Sequence, residues 1–420
     1  MIGDYGAKWA CMRMGRALAE AMSTEIQLVG PGDRARVLEA SRQSKMAESA
    51  HAYVRGSTRQ FYEWLSTKAG RSIPQGPPIW ICGDCHVGNL GPLASAEGKI
   101  AIQIRDLDQT VIGNPAHDLV RLALSLATAA RGSDLPGVTT ALLLEQMVRG
   151  YEESLVTPRR KVKVDGDELA PIQKVLDEAR RRKWHHLAEE RIEDVRPRIP
   201  LGRRFWALTD QEEDAITELF EDERVASKVL ELRGCEPGTA LHVVDAAYWM
   251  KGCSSLGRLR YAVLLGLGSK KHRRYCLMDL KEATAAAAPR TKAFRGSHAE
   301  RVVEGARALS PYLGERMLAV ELLKKPIVAR ELMPQDLKFD LDHLTQDEAV
   351  AAARYLAVVV GKAHGRQMTP GVRRSWRAEL RRHRSKKLDA PSWLWTSVVQ
   401  LMAEHESAYL EHCRQYALAG

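Results

Sequence analysis

Apolar residues recur at helical spacing from about residue 8 to 22 and again from about 34 to 69, until the prolines between Pro74 and Pro78 break the pattern. Ile79-Trp80-Ile81-Cys82 then reads as a short strand leading into a polar loop, and Ile100-Ala101-Ile102-Gln103-Ile104 as a second strand ending at Arg105-Asp106-Leu107-Asp108. Asn114-Pro115-Ala116-His117-Asp118 introduces a buried helix from Leu119 to Arg131, with Asp118 at the predicted N-cap. Residues 139 to about 235 are charged and mostly helical in pattern, broken around Arg196-Pro197-Arg198-Ile199-Pro200. From His242 the texture changes. A glycine-bearing turn, Gly252 to Gly257, precedes strands over Arg260–Leu265 and Arg274–Lys281, a helix over about 297–310 and a strand from Pro326 to Leu332. Beyond Thr345 the spacing is helical again.

A chain of 420 residues is long for one core and suits two lobes. Its hydrophobic and charged fractions, 45% and 28%, are those of an ordinary globular protein, which argues against wholesale disorder or a fibre. The net charge of +10 favours anionic ligands without choosing among nucleotides, nucleic acid and acidic lipids. Basic residues and aromatics do not interleave into ribbons, so nucleic acid is the lesser expectation. Seven scattered cysteines fit reduced thiols in a cytoplasm, and no run of about 18 apolar residues predicts a membrane span. Nothing in the pattern sets an oligomeric state.

The chemistry concentrates in Gly83-Asp84-Cys85-His86-Val87-Gly88-Asn89 and in Asp106. Phosphoryl transfer needs a carboxylate to orient an acceptor hydroxyl and oxygen ligands for Mg²⁺, roles that suit Asp84, and Asn89 with Asp106. Short polar side chains beside glycine also form plain turn hydrogen bonds, and Asp108 reads equally as a second metal ligand or a solvated carboxylate. His86 is expected to brace the loop. Cys82 and Cys85 have Cys-x-x-Cys spacing without a second ligand pair, which disfavours zinc. Arg55 suits a phosphate or a structural salt bridge, and His185-His186 a solvated helix face.

The segment Gly83 to Asn89 resembles the catalytic loop of aminoglycoside and choline phosphotransferases, and Ile104 to Asp108 resembles their metal-binding segment. A wider pattern is similar to the bacterial family catalogued as domain of unknown function 2252, a protein-kinase-like group. It is carried by Lys45-Met46, Tyr53 to Gly56, Gly252 to Gly257 with Arg260-Tyr261, Leu280 to Ala283, Arg301 to Gly305, Arg330 to Leu332 and Ala363-His364. The resemblance implies an α+β, two-lobed kinase-like fold with ATP and Mg²⁺ as donor and cofactor. In this chain the loop precedes the glycine turn, so the fold would be circularly permuted.

On that reading residues 1–150 begin the helical catalytic lobe and 151–238 form a helical insertion or arm. Residues 239–335 form the nucleotide lobe, and 336–420 complete the catalytic lobe. Gly252, Ser254, Ser255 and Gly257 would approach phosphates through their backbone, with Ser254 where a central glycine is usual. Lys281 would meet the α- and β-phosphates, paired to Glu304 or, one turn earlier, Glu300. Arg330-Glu331-Leu332-Met333 would be the hinge whose backbone meets adenine. The expected reaction is phosphoryl transfer to a hydroxyl-bearing acceptor, a small molecule before a protein. Nucleotidyl transfer on the same fold and a non-catalytic nucleotide-binding scaffold are the rival expectations.

Overall fold

The structure, a computed structural model, describes residues 29–67, 70–132, 135, 137–158, 169–184, 187, 197–236, 238–251, 258–269, 273–337, 344–382 and 390–419. The helix predicted over 8–22, the pair His185-His186, the side chain of Arg55, and Gly252, Ser254, Ser255 and Gly257 lie outside the described residues.

The helical stretch predicted from 34 to 69 is three helices, α1 (Arg34–Ala47), α2 (Ala50–Gly56) and α3 (Thr58–Leu65). Ser49 makes the first break. Its backbone is extended and its hydroxyl accepts from the Ala52 N–H, so it caps α2 instead of continuing α1. Strands β1 (Ile79–Ile81), β2 (Leu90–Ala94), β3 (Ile100–Ile104) and β4 (Val111–Gly113) follow. β1 pairs with β4 and β2 with β3, both antiparallel, so the two predicted strands lie in separate ribbons on either side of the loop.

Next come α4 (Pro115–Gly132), α5 (Gly137–Val156), α6 (Ala170–Arg181), β5 (Phe205–Trp206), α7 (Asp210–Glu221) and α8 (Glu223–Leu232). α4 is buried around most of its circumference, Leu119, Val120, Leu122, Ala123 and Leu124 being closed off from solvent, which makes it the axis of the larger core. α5 and α11 (Gln346–Gly365) approach closely. A Cβ at Gly361 would stand 2.0 Å from the Ser154 hydroxyl, so the contact requires glycine.

The remaining elements are β6 (Leu241–Trp249), β7 (Arg260–Leu267), β8 (Arg274–Glu282), α9 (His298–Leu309), α10 (Pro311–Gly314), β9 (Met317–Leu322), β10 (Lys325–Glu331), α12 (Pro370–Arg382) and α13 (Ser392–Ala419). β5 to β10 form one six-stranded antiparallel sheet in the order β5-β6-β7-β8-β10-β9. Alternation along β7 and β8 separates two faces. Tyr261, Val263, Leu265, Met278 and Leu280 pack with Leu38, Trp206, Ile216 and Phe220 into a second core. Residues 210–232, read from sequence as part of an arm, are thus the back wall of the small sheet. The buried Arg34–Glu212 pair at 2.7 Å ties α1 to that wall. The opposite face carries Arg260, Ala262 and Leu264 beside Lys281, Asp279 and Leu277, and through Lys281 this face meets Asp108, after β3.

Candidate active site

The loop after β1 is fixed before any reactive group is placed. Gly83 has φ +75°, and a Cβ there would stand 2.1 Å from the Gln109 carbonyl oxygen, so no other residue fits. Its carbonyl accepts from the Tyr62 hydroxyl. The N–H groups of Cys82 and Gly83 donate to the Asp118 carboxylate at 2.7 and 2.9 Å. Asp118 is therefore not the N-cap of α4. Asn114 holds that place, accepting from the N–H groups of Ala116 at 3.0 Å and Gly76 at 3.1 Å. Asp118, wholly buried, is 3.1 Å from His364 Nε2. The other ring nitrogen of His364 is 2.9 Å from the Tyr151 hydroxyl, which accepts from Trp376 Nε1 at 3.2 Å. One buried chain of polar contacts thus runs from α12 through α5 and α11 to the loop backbone.

Asp84 lies on that fixed backbone and is 7% exposed. One oxygen accepts from Arg121 Nε at 2.8 Å and the other from the Thr58 hydroxyl at 2.9 Å. Arg121 also donates to the Val54 carbonyl, which holds α2 to the loop. Burial pushes the Asp84 carboxyl up, and Arg121 and Thr58 only partly oppose it. His86 Nε2 is 3.9 Å from the same carboxylate, consistent with a bracing role. The Asn89 amide N–H donates to the Asp84 carbonyl at 2.9 Å, leaving its amide oxygen as the end that suits a cation.

Across the cleft, Lys281 at the end of β8 forms an ion pair with Asp108 and stands 3.7 Å from Asp106. Asp106 also accepts from the Asp108 N–H at 3.2 Å. Burial raises both carboxyls, but for Asp106 it is outweighed by Lys281, the Asp108 amide, Arg260 and His86, which hold it well below the usual range. Asp108 is pushed up by burial and by Asp106 itself. Two carboxylates of split acidity beside one lysine make a site that a hard cation would relieve. Asp106 and Asp108, with the Asn89 amide oxygen, are the right donor types for Mg²⁺. Among the described residues no three His, Cys, Asp or Glu side chains cluster for a metal, so an amide or water would complete such a set.

Arg260, opposite Lys281 in the β7–β8 register, makes a fork to Asp279 at 2.8 and 2.5 Å, and its guanidinium lies 4.8 Å from the Trp249 ring centre. Arg301 on α9 donates to the carbonyls of Thr110, Asp108 and Thr284 and so fixes the segment from Asp108 to Thr110 to the small lobe.

Other predicted residues lie elsewhere. Glu304 pairs with Arg307 on its own helix, and Glu300 forms a capping box with Ser297; the partners of Lys281 are Asp106 and Asp108. Glu331 sits on the back face of the sheet with Met278 and pairs with Arg233. Its N–H donates to the Arg316 carbonyl and its carbonyl accepts from Arg316 Nη1. Cys82 and Cys85 are free and buried, and burial pushes both thiols up, Cys82 well above its ordinary value.

Arg121, Thr58 and Asp279 were not singled out by sequence, and Arg260, Arg301 and His364 were named there only as positions of the family pattern, without a role. Arg121 carried a signal, since a cation inside the run Leu119-Val120-Arg121-Leu122 must find a buried partner. No curated protein and no solved structure matches the chain. A family model described as an uncharacterized protein conserved in bacteria, DUF2252, matches residues 34–415, and the chain belongs to that family.

Proposed function

We propose that the chain is a kinase-like, Mg²⁺-dependent phosphotransferase that moves the γ-phosphoryl group of ATP to a hydroxyl-bearing acceptor. The observation that carries this reading is the meeting of Lys281 with Asp106 and Asp108 beside the loop of Asp84 and Asn89. Those residues come from two distant stretches of chain, and a phosphotransfer site needs that combination of lysine, hard-cation ligands and acceptor-orienting carboxylate. The small sheet follows the loop in sequence and faces it in space, which supports a kinase-like fold with permuted lobe order.

In this scheme Asp106, Asp108 and Asn89 hold the cation and Lys281 meets the phosphates. Bound Mg²⁺ would neutralise charge on the β- and γ-phosphate oxygens. Asp84 orients the acceptor hydroxyl and takes its proton as the acceptor oxygen bonds to γ-phosphorus and the bond to the bridging oxygen breaks, releasing ADP. Its raised carboxyl suits a base. A small-molecule acceptor is preferred over a protein by analogy with the aminoglycoside and choline phosphotransferases.

Incubation of the chain with Mg²⁺, ATP and candidate alcohols, followed by mass analysis, is the test. Asp84→Asn should keep nucleotide binding and lose turnover by about 10²-fold or more, whereas Asp106→Asn should lose Mg²⁺-dependent binding. Full turnover by both variants would refute the assignment, and an AMP adduct in place of a phosphate would redirect it to nucleotidyl transfer. A second reading, a nucleotide-binding protein without turnover, is favoured by the engagement of both Asp84 oxygens with Arg121 and Thr58. ATP binding without any turnover would decide for it.

A further inference from the structure

We infer that this cleft holds its phosphoryl donor by the polyphosphate tail and does not read the base, so that its donors are triphosphates as a class. The inference rests on the phosphotransferase reading and concerns the part of the cleft beyond Lys281. On the cleft face of the sheet, Ala247, Trp249, Ala262, Leu264 and Leu277 form one apolar cluster with Leu332 after β10. On the kinase-like reading that surface is where a base would lie, between the sheet and the segment after β10. It is covered by the chain itself: Leu187, Ile199 and Phe205, all buried, belong to the same cluster, with Trp184 packed against it. The Phe205 and Trp249 rings are 5.7 Å apart. The cover is also hydrogen bonded in place, the Ile199 N–H to Asp245 at 2.6 Å, Arg182 Nε to the Pro334 carbonyl at 2.8 Å, and Gln335 to the Arg182 carbonyl at 3.0 Å.

The hinge backbone is equally committed. The N–H of Glu331 donates to Arg316, that of Leu332 to the Leu277 carbonyl at 2.9 Å, and that of Met333 to Asp336 at 3.5 Å, while Pro334 has no N–H. A base presenting ring nitrogens there meets no free donor between Glu331 and Pro334, and displacing an existing bond leaves a buried group unpaired. The opposite end of the same face is built for anions. Arg260 and Lys281 stand side by side on neighbouring strands, with Asp279 holding the Arg260 fork and Asp106 and Asp108 within ion-pair reach of Lys281. Once a cation satisfies Asp106 and Asp108, Lys281 is released to face phosphate oxygens beside Arg260, whose fork stays on Asp279 and whose fixed charge adds to the attraction.

The test is titration calorimetry on the full chain with Mg²⁺ and each of ATP, GTP, CTP, inorganic tripolyphosphate and adenosine. The expected result is that the four triphosphates bind within about threefold of one another and adenosine does not bind measurably, since the interaction energy lies in charge-assisted contacts. Arg260→Gln should weaken all four by a common factor of about tenfold, and Arg260→Lys, which keeps the charge and loses the fork, by less. Binding of ATP tenfold or more tighter than GTP, CTP and tripolyphosphate overturns the inference and leaves the phosphotransferase reading standing. An Arg260→Gln variant that is folded by circular dichroism and binds all four as the wild type does removes Arg260 from the site and overturns the tail-binding account. Absence of binding by every triphosphate overturns both.

Discussion

The loop around Asp84 and the cleft face around Lys281 hold charge in opposite ways. Behind the loop, Asp118 receives two backbone N–H groups and faces His364, and Asp84 receives Arg121 and Thr58. At the cleft face, one lysine is shared between two carboxylates, one pushed down and one pushed up. The first arrangement is satisfied and holds shape. The second is balanced only until a ligand redistributes its charges. The comparison teaches that Asp118, whose partners are two loop amides and a buried histidine, holds shape, whereas the partly exposed carboxylates that share Lys281 carry charge a ligand can redistribute.

Substitution should break the two regions differently. Asp118→Ala strips the partner from two buried amides and from His364, so the midpoint of urea unfolding should fall by an amount equivalent to about 3–5 kcal/mol. A loss under 1 kcal/mol would mean the frame does not depend on that carboxylate.

Acid should act on the frame through its buried histidines. His405 is buried near Arg121, and burial, with Arg121 adding to it, holds the ring down to about 4. The native state therefore binds fewer protons than the unfolded chain between that value and the ordinary 6.5. Stability from this group is present above pH 6.5 and is lost as pH falls towards 4, by up to about 3 kcal/mol. His117, also held to about 4 by burial, adds in the same direction. His405→Gln should flatten part of this slope in denaturant titrations between pH 7 and 4, and an unchanged slope would remove His405 from the account.

Magnesium should act at the cleft alone. At concentrations well above its dissociation constant it should raise the thermal midpoint of the wild type by the equivalent of about 1–3 kcal/mol and leave Asp106→Asn unmoved. Equal shifts in the two would place the cation elsewhere. The smallest effect on stability is expected from Lys281→Met, about 1 kcal/mol or less, because Asp106 is 45% exposed on its side chain and solvent can take over part of the lysine's work. If Lys281→Met proved as damaging to stability as Asp118→Ala, the contrast between the regions would collapse.

Much of this organisation was legible in the sequence where spacing carries it. The α9 helix announced itself by periodicity, and β7, β8 and β10 by apolar runs. The β9–β10 hairpin did not, because its turn is Leu323-Lys324, both at positive φ, where Asn-Gly would have given the signal. Asp84, Asn89, Asp106 and Lys281 were readable as residue types next to strand ends. The partner of Lys281 was not, since a helical glutamate and a carboxylate from the other lobe look alike until the lobes are docked. Glu331 was read through its backbone, and the face its side chain takes was not legible because one residue along a strand exchanges one face of the sheet for the other. Asp118 looked like a cap because short acidic residues at helix starts usually are. Its partners, Cys82, Gly83 and His364, are distant in sequence, and no local pattern records them.

The central claim, that the two regions form one phosphotransfer site, is tested most directly by calorimetric binding of ATP with Mg²⁺ to the wild type, Asp84→Asn, Asp106→Asn and Lys281→Met. The account predicts binding in the wild type and Asp84→Asn and its loss in the other two. Binding that is indifferent to Asp106 and Lys281 would contradict it.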